Sequence, residues 1–180
     1  MKQIVRTGAR TVKKLLVALC VPLAYAGCAA RQPQPAGRLA TFVETEHKPY
    51  MEPGRNSIMG KGFVWFQQGG DLVTCAGRAV WIMPNTSFFR ERVYYVRAGK
   101  IPEIESEIPP AFDGIIRKTE CDKQGHFSYA ELPSGEWLVF TNVEWVVGSA
   151  RQGGTLMRIV KLLNNQTERV LLTYEDFIGP

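Results

Sequence analysis

Residues 122–140, DKQGHFSYAELPSGEWLVF, read as a polar turn, a strand, a break and a second strand. Residues 122–125 are polar and end in Gly125. Phe127 and Tyr129 then alternate with His126, Ser128 and Ala130, the period of two that a half-buried strand requires. Pro133, Ser134 and Gly135 interrupt the chain. Trp137 and Val139, or else Leu138 and Phe140, supply the inward face of the next strand, and the aromatic and β-branched content favours strand over helix. The unit predicts an antiparallel β-sandwich.

The flanking chain extends the pattern in both directions. Residues 63–66 (FVWF) and 72–75 (LVTC), separated by a Gln/Gly-rich turn, read as a hairpin. Residues 78–83 (RAVWIM) form a strand that Pro84 closes, because proline cannot donate to a ladder. Residues 115–121 resume strand character. Residues 138–147 form a strand long enough to predict a bulge or bend near Asn142, followed by a turn at Gln152, Gly153 and Gly154. Residues 155–163 and 167–174, joined by Asn164, Asn165 and Gln166, read as a closing hairpin. Seven or eight short strands result, an all-β fold.

Between residues 85 and 114 the period is lost. Phe89, Val93 and Val96 share one face of a short helix at i, i+4 and i+7, and two prolines and an acidic run follow. The excursion is longer than a sandwich turn needs. It is either a binding loop, with Phe88, Phe89, Tyr94 and Tyr95 as contacts for a protein partner, or a cap on the core.

The N-terminal part is different in kind. Lys2, Arg6, Arg10, Lys13 and Lys14 precede an apolar run over residues 15–26, too short to span a ~30 Å hydrocarbon core as a helix. This is the pattern of an export signal over residues 1–27. Its loss takes five of the 22 basic side chains and leaves 17 to match the 17 acidic ones, so the mature chain is formally neutral. Phosphate-backbone binding therefore lacks its electrostatic footprint, and nucleic acid is not an expected partner. Residues 28–60 carry Pro33, Pro35, Pro49 and Pro53 with scattered apolar residues and read as a tether, with a short docking strand at 39–43 as its one possible element. The sandwich is assigned to residues 61–176.

Ala26, Gly27 and Cys28 resemble the lipobox of bacterial lipoproteins, in which small residues precede a cysteine that is diacylated and becomes the new N-terminus. The resemblance implies a lipid anchor on Cys28 and, from Ala29 after it, sorting to the outer membrane facing the periplasm. The alternative is an ordinary signal peptide cleaved near Ala26 or Ala30. In an exporting compartment Cys75 and Cys121 are either a disulfide or two buried thiols. His47 and His126 have no ligand-spaced neighbours, so no metal or other cofactor is expected.

Residues 75–84 (CAGRAVWIMP), with residues 125–139 (GHFSYAELPSGEWLV), resemble the carboxypeptidase regulatory-like domain, whose members are transthyretin-like β-sandwiches. The resemblance spans about residues 62–174 and rests on turn and core positions, so it implies the fold and leaves function open. The chain has no G-x-S-x-G and no H-E-x-x-H, Asp122 suits a turn cap, and Ser87 has no nearby histidine. The expectation is a non-catalytic module. Either it is an anchored scaffold that holds an envelope protein, as an accessory subunit of an envelope or secretion assembly would, or it binds carbohydrate or peptidoglycan through some of Trp65, Trp81, Trp137 and Trp145, each of which lies in a strand where burial is expected.

Overall fold

The computed structural model describes residues 39–65, 70, 72–93, 104–105 and 107–178. Helix α1 (Glu44–Met51) is followed by strands β1 (Asn56–Trp65), β2 (Leu72–Thr74) and β3 (Ala79–Pro84), then helix α2 (Ser87–Glu91). Strands β4 (Arg117–Glu120), β5 (His126–Leu132), β6 (Gly135–Val147), β7 (Ala150–Leu162) and β8 (Thr167–Leu172) complete the fold, with 3-10 turns at Pro110–Phe112 and Tyr174–Asp176. One sheet is built on β1, which pairs antiparallel with β2 and β5 and parallel with β8. The other has the antiparallel order β4-β3-β6-β7. The chain is an all-β sandwich.

Alternation sets what lies between the sheets. On β1, Ile58 and Val64 are buried while Met59 and Trp65 are exposed. Phe127, Tyr129, Val170 and Leu172 from the first sheet meet Val80, Ile82, Trp137, Val139, Leu156 and Val160 from the second. Burial pushes the Tyr129 phenol up, and its hydroxyl donates to the Val80 carbonyl at 2.7 Å, tying β5 to β3 across the core. Cys75 and Cys121, which follow β2 and β4, form a disulfide with Cα atoms 5.8 Å apart, so the two sheets are also joined covalently.

The choice between Trp137/Val139 and Leu138/Phe140 resolves to both pairs, because β6 is buried on both faces. Trp137 and Val139 enter the inter-sheet core. Leu138 and Phe140 face a second core with Met83, Phe88, Phe89, Ile104, Phe112 and Ile115. The described part of the 85–114 excursion is thus a cover on the outside of the second sheet. Phe88 and Phe89 are 1% and 0% exposed, which removes them as partner contacts; Tyr94, Tyr95 and Val96 lie outside the described residues.

Four further expectations change. Helix α1 and the first residues of β1 fall inside the segment read as tether, and residues 39–43 form no strand. Periodicity could not reveal α1, since the residue it buries fully is His47. The ring stacks on Phe42 at 4.0 Å, and its nitrogens meet the Val43 carbonyl at 2.7 Å and the Thr86 hydroxyl at 2.9 Å. Residues 155–163 and 167–174 form no hairpin, because β7 and β8 belong to opposite sheets. The crossing between them is held by Asn56, whose side-chain oxygen Oδ1 accepts from Gln166 N at 2.8 Å. Strand β6 has no bulge at Asn142, since its register with β7 runs unbroken from Gly135↔Leu162 to Val147↔Ala150. The irregularity falls instead on β5, where Glu131 has φ 56° and the pairing with β1 shifts.

Gly153 and Gly154 consequently lie inside β7, and the turn sits around Gly148. Gly153 has φ +126°, and a Cβ there would stand 2.1 Å from the Val143 carbonyl oxygen. Glycine is required by close approach within a ladder rather than by a turn. Gly153→Ala is expected to cost about 1–3 kcal/mol, read as a lowered urea midpoint at unchanged m-value. A midpoint equal to wild type would show that the strand relaxes freely.

Candidate functional site: an aromatic groove

Where β1 ends, Trp65 projects from the outer side of its sheet, since Gly60, Gly62 and Val64 take the inward positions. Trp145, near the end of β6, is half-buried against the inter-sheet core, and its indole donates to the Gln152 side-chain oxygen across the ladder at 3.2 Å. Tyr174 follows β8. Together with Phe63, Val64, Thr173 and Glu175, these residues line a groove of about 610 Å³. Trp65 is 62% exposed and Tyr174 69%.

Tyr174 and Glu175 owe their place to a short strap. Thr173 and Asp176 form a reciprocal capping box around the 3-10 turn, with Thr173 N donating to Asp176 at 2.8 Å. Arg158 on β7 grips the same carboxylate with two bonds, 2.7 and 3.0 Å long, and this hydrogen bonding pushes its guanidinium pKa up. Phe177 stacks on Tyr174 at 5.9 Å and bridges Leu156, and Ile178 N donates to the Thr155 carbonyl. The chain leaving the first sheet is therefore fastened to the edge of the second. That fastening fixes the outer wall of the groove.

The remaining sequence candidates fall elsewhere. Trp137 is fully buried, and its indole donates to the Pro133 carbonyl at 3.3 Å. Trp81 is half-buried against the second core, with the Lys118 ammonium 5.0 Å from its ring centroid. Asp122 is a turn cap: Oδ1 accepts from His126 N at 2.8 Å and Gln124 N at 2.9 Å, which holds its carboxyl below the usual range. Cys28 lies outside the described residues. Among the described residues, no three His, Cys, Asp or Glu side chains stand close enough together to hold a metal ion. Tyr174 and Glu175 carried no sequence signal, because only the strap brings them beside Trp65.

No family model matches the chain, and no curated protein sequence matches it. Among solved structures it is similar to a Pseudomonas aeruginosa protein provisionally described as carbohydrate-binding. The identity is 22%, covering 76% of this chain and 99% of that one, with a TM-score of 0.58. A more distant likeness is to the major pilin subunit of Bacillus cereus, at 12% identity over 67% of this chain and 30% of that one, with a TM-score of 0.41. The Pseudomonas likeness shows a shared β-sandwich fold.

Proposed function

We propose that the chain is a non-catalytic carbohydrate-binding module, exported and anchored to the outer membrane through lipid on Cys28. The observation that carries this reading is the groove itself. Tryptophan and tyrosine normally bury most of their area, yet here two such rings stand more than half exposed beside a third. Flat aromatic faces match the C–H faces of pyranose rings, and Thr173 and Glu175 offer partners for hydroxyls. The sandwich shared with the Pseudomonas protein supports the same class of module. The lipobox-like residues Ala26, Gly27 and Cys28 support the anchor.

Titration with oligosaccharides, followed by tryptophan fluorescence, tests the reading. Trp65→Ala is expected to weaken binding at least about tenfold, roughly 1.4 kcal/mol, while leaving the urea midpoint within about 0.5 kcal/mol of wild type. Retained affinity in that variant would sink the groove as the site. Mass spectrometry of the mature N-terminus checks Cys28, with a diacylated cysteine expected.

A second reading, an envelope protein as partner, is favoured by one observation. Among the described residues, the outer face of the β1 sheet, which exposes Met59 and Leu171 at 56% and 53%, has no cover like that over β6. Crosslinking in intact envelopes should then recover a partner that is lost in Met59→Glu.

A further inference from the structure

Any selectivity of the groove rests on the carbohydrate reading, and within that reading its charge discriminates more sharply than its shape. Among the described residues its lining comprises Phe63, Val64, Trp65, Trp145, Thr173, Tyr174 and Glu175: four aromatic rings, one carboxylate and no basic side chain. Two physical effects act in the same direction. The face of an aromatic ring carries the negative part of its quadrupole, which attracts the electropositive C–H face of a sugar and repels an anion laid on it. A carboxylate beside the rings adds like-charge repulsion, which physiological salt largely screens beyond about 8 Å.

Among the described residues, three guanidinium groups near the groove are paired with carboxylates. Arg78 and Arg151 border Trp145, and both donate to Glu144, at 2.9 and 3.3 Å. Arg158 is held by Asp176. Lys61 lies over the Phe63 ring at 5.9 Å and does not line the groove. An anionic sugar would therefore meet ring faces and Glu175 with no fork-shaped partner for its carboxylate or phosphate, the partner that recognition of such groups uses.

We propose that the groove selects uncharged glycans and excludes uronate-containing or phosphorylated ones. Pyranose faces lie on Trp65 and Tyr174, hydroxyls donate to the Glu175 carboxylate, and the Thr173 hydroxyl serves as a further partner.

The test uses the mature full chain and a panel of equal length: cello-, malto-, manno- and chitohexaose against hexagalacturonate and a hyaluronan hexamer. Binding is read by tryptophan fluorescence at low and at physiological salt. At least one neutral hexamer is expected to bind at least about tenfold more tightly than either anionic one. Glu175→Gln should narrow that gap by raising affinity for the anionic hexamers, most of all at low salt. Trp65→Ala and Tyr174→Ala, both at exposed positions, should each remove binding of the neutral ligand.

A uronate oligomer that binds as tightly as the neutral ones, and is lost in Trp65→Ala, overturns the neutral selection while the groove stands as a glycan site. A gap unchanged in Glu175→Gln overturns the role given to that carboxylate. No binding by any member of the panel overturns the carbohydrate reading and the neutral selection with it.

Discussion

Trp137→Ala is expected to remove about 3–5 kcal/mol of folding stability, a large share of the roughly 5–15 kcal/mol that holds a domain of this kind. The indole is 0% exposed. Tyr50 packs edge-on against it at 5.1 Å, and the Arg117 guanidinium lies 5.6 Å from the ring. Its N–H caps the Pro133 carbonyl where the chain passes from one sheet to the other. Truncation would leave a cavity lined by strands from both sheets, and β6, central in its sheet, cannot move to fill it without breaking its ladders to β3 and β7. Urea unfolding monitored by far-UV circular dichroism measures the loss. A change under about 1 kcal/mol would mean that the core is far more plastic than its contacts indicate. Trp137→Phe should recover part of the loss, since it restores ring packing without the indole hydrogen bond.

The second large effect is covalent. Joint replacement of Cys75 and Cys121 by Ser is expected to cost about 4 kcal/mol, the chain-entropy estimate for the intervening separation of 46 residues. The measurement is the shift in denaturation midpoint of the double variant. Wild type in dithiothreitol serves as the matched control, and the two midpoints should agree. Both sulfurs are buried, so reduction is expected to proceed through opening of the domain and to accelerate sharply with denaturant. A reductant-insensitive midpoint would show that the non-covalent contacts between the sheets suffice.

The features legible in the sequence are those governed by alternation and punctuation. Phe127 and Tyr129 were readable as inward because their neighbours are polar. Strand β3 was readable because Gly77 and Pro84 bracket it. Sheet membership was not readable. Pro133-Ser134 and Asn164-Asn165 look like hairpin turns, yet each carries the chain to the opposite sheet, and which of two sheets a strand joins depends on partners far away in sequence. Gly153 misled for a related reason, since a glycine needed for backbone approach has the same letter as one needed for a turn.

The groove was half-readable. Trp65 and Trp145 were visible as aromatic residues in strands, but alternation alone cannot say which of them faces outward, Trp65 being exposed at the end of β1 and Trp145 half-buried against the core. Tyr174 and Glu175 depend on the Arg158–Asp176 clasp, a contact between residues 18 apart with no local signature. The cap reading of the 85–114 excursion prevailed at Phe88 and Phe89 because β6 is apolar on both faces and its outer one requires a cover.

The parallel pairing of β1 with β8 has a consequence for the order of events in the life of the chain. Among the described residues the first strand is flanked by the last, with Ser57 to Gly62 waiting on Thr167 to Leu172. Until Leu172 is available, one edge of the organising strand has its amides and carbonyls unpaired, so the domain closes only once β8 has been made. Under the export proposed above, a domain that has not yet closed would suit passage through a narrow channel before folding. The same dependence makes the C-terminal end a latch: a chain cut short before β8 loses the neighbour of its central strand as well as the aromatic wall of its groove.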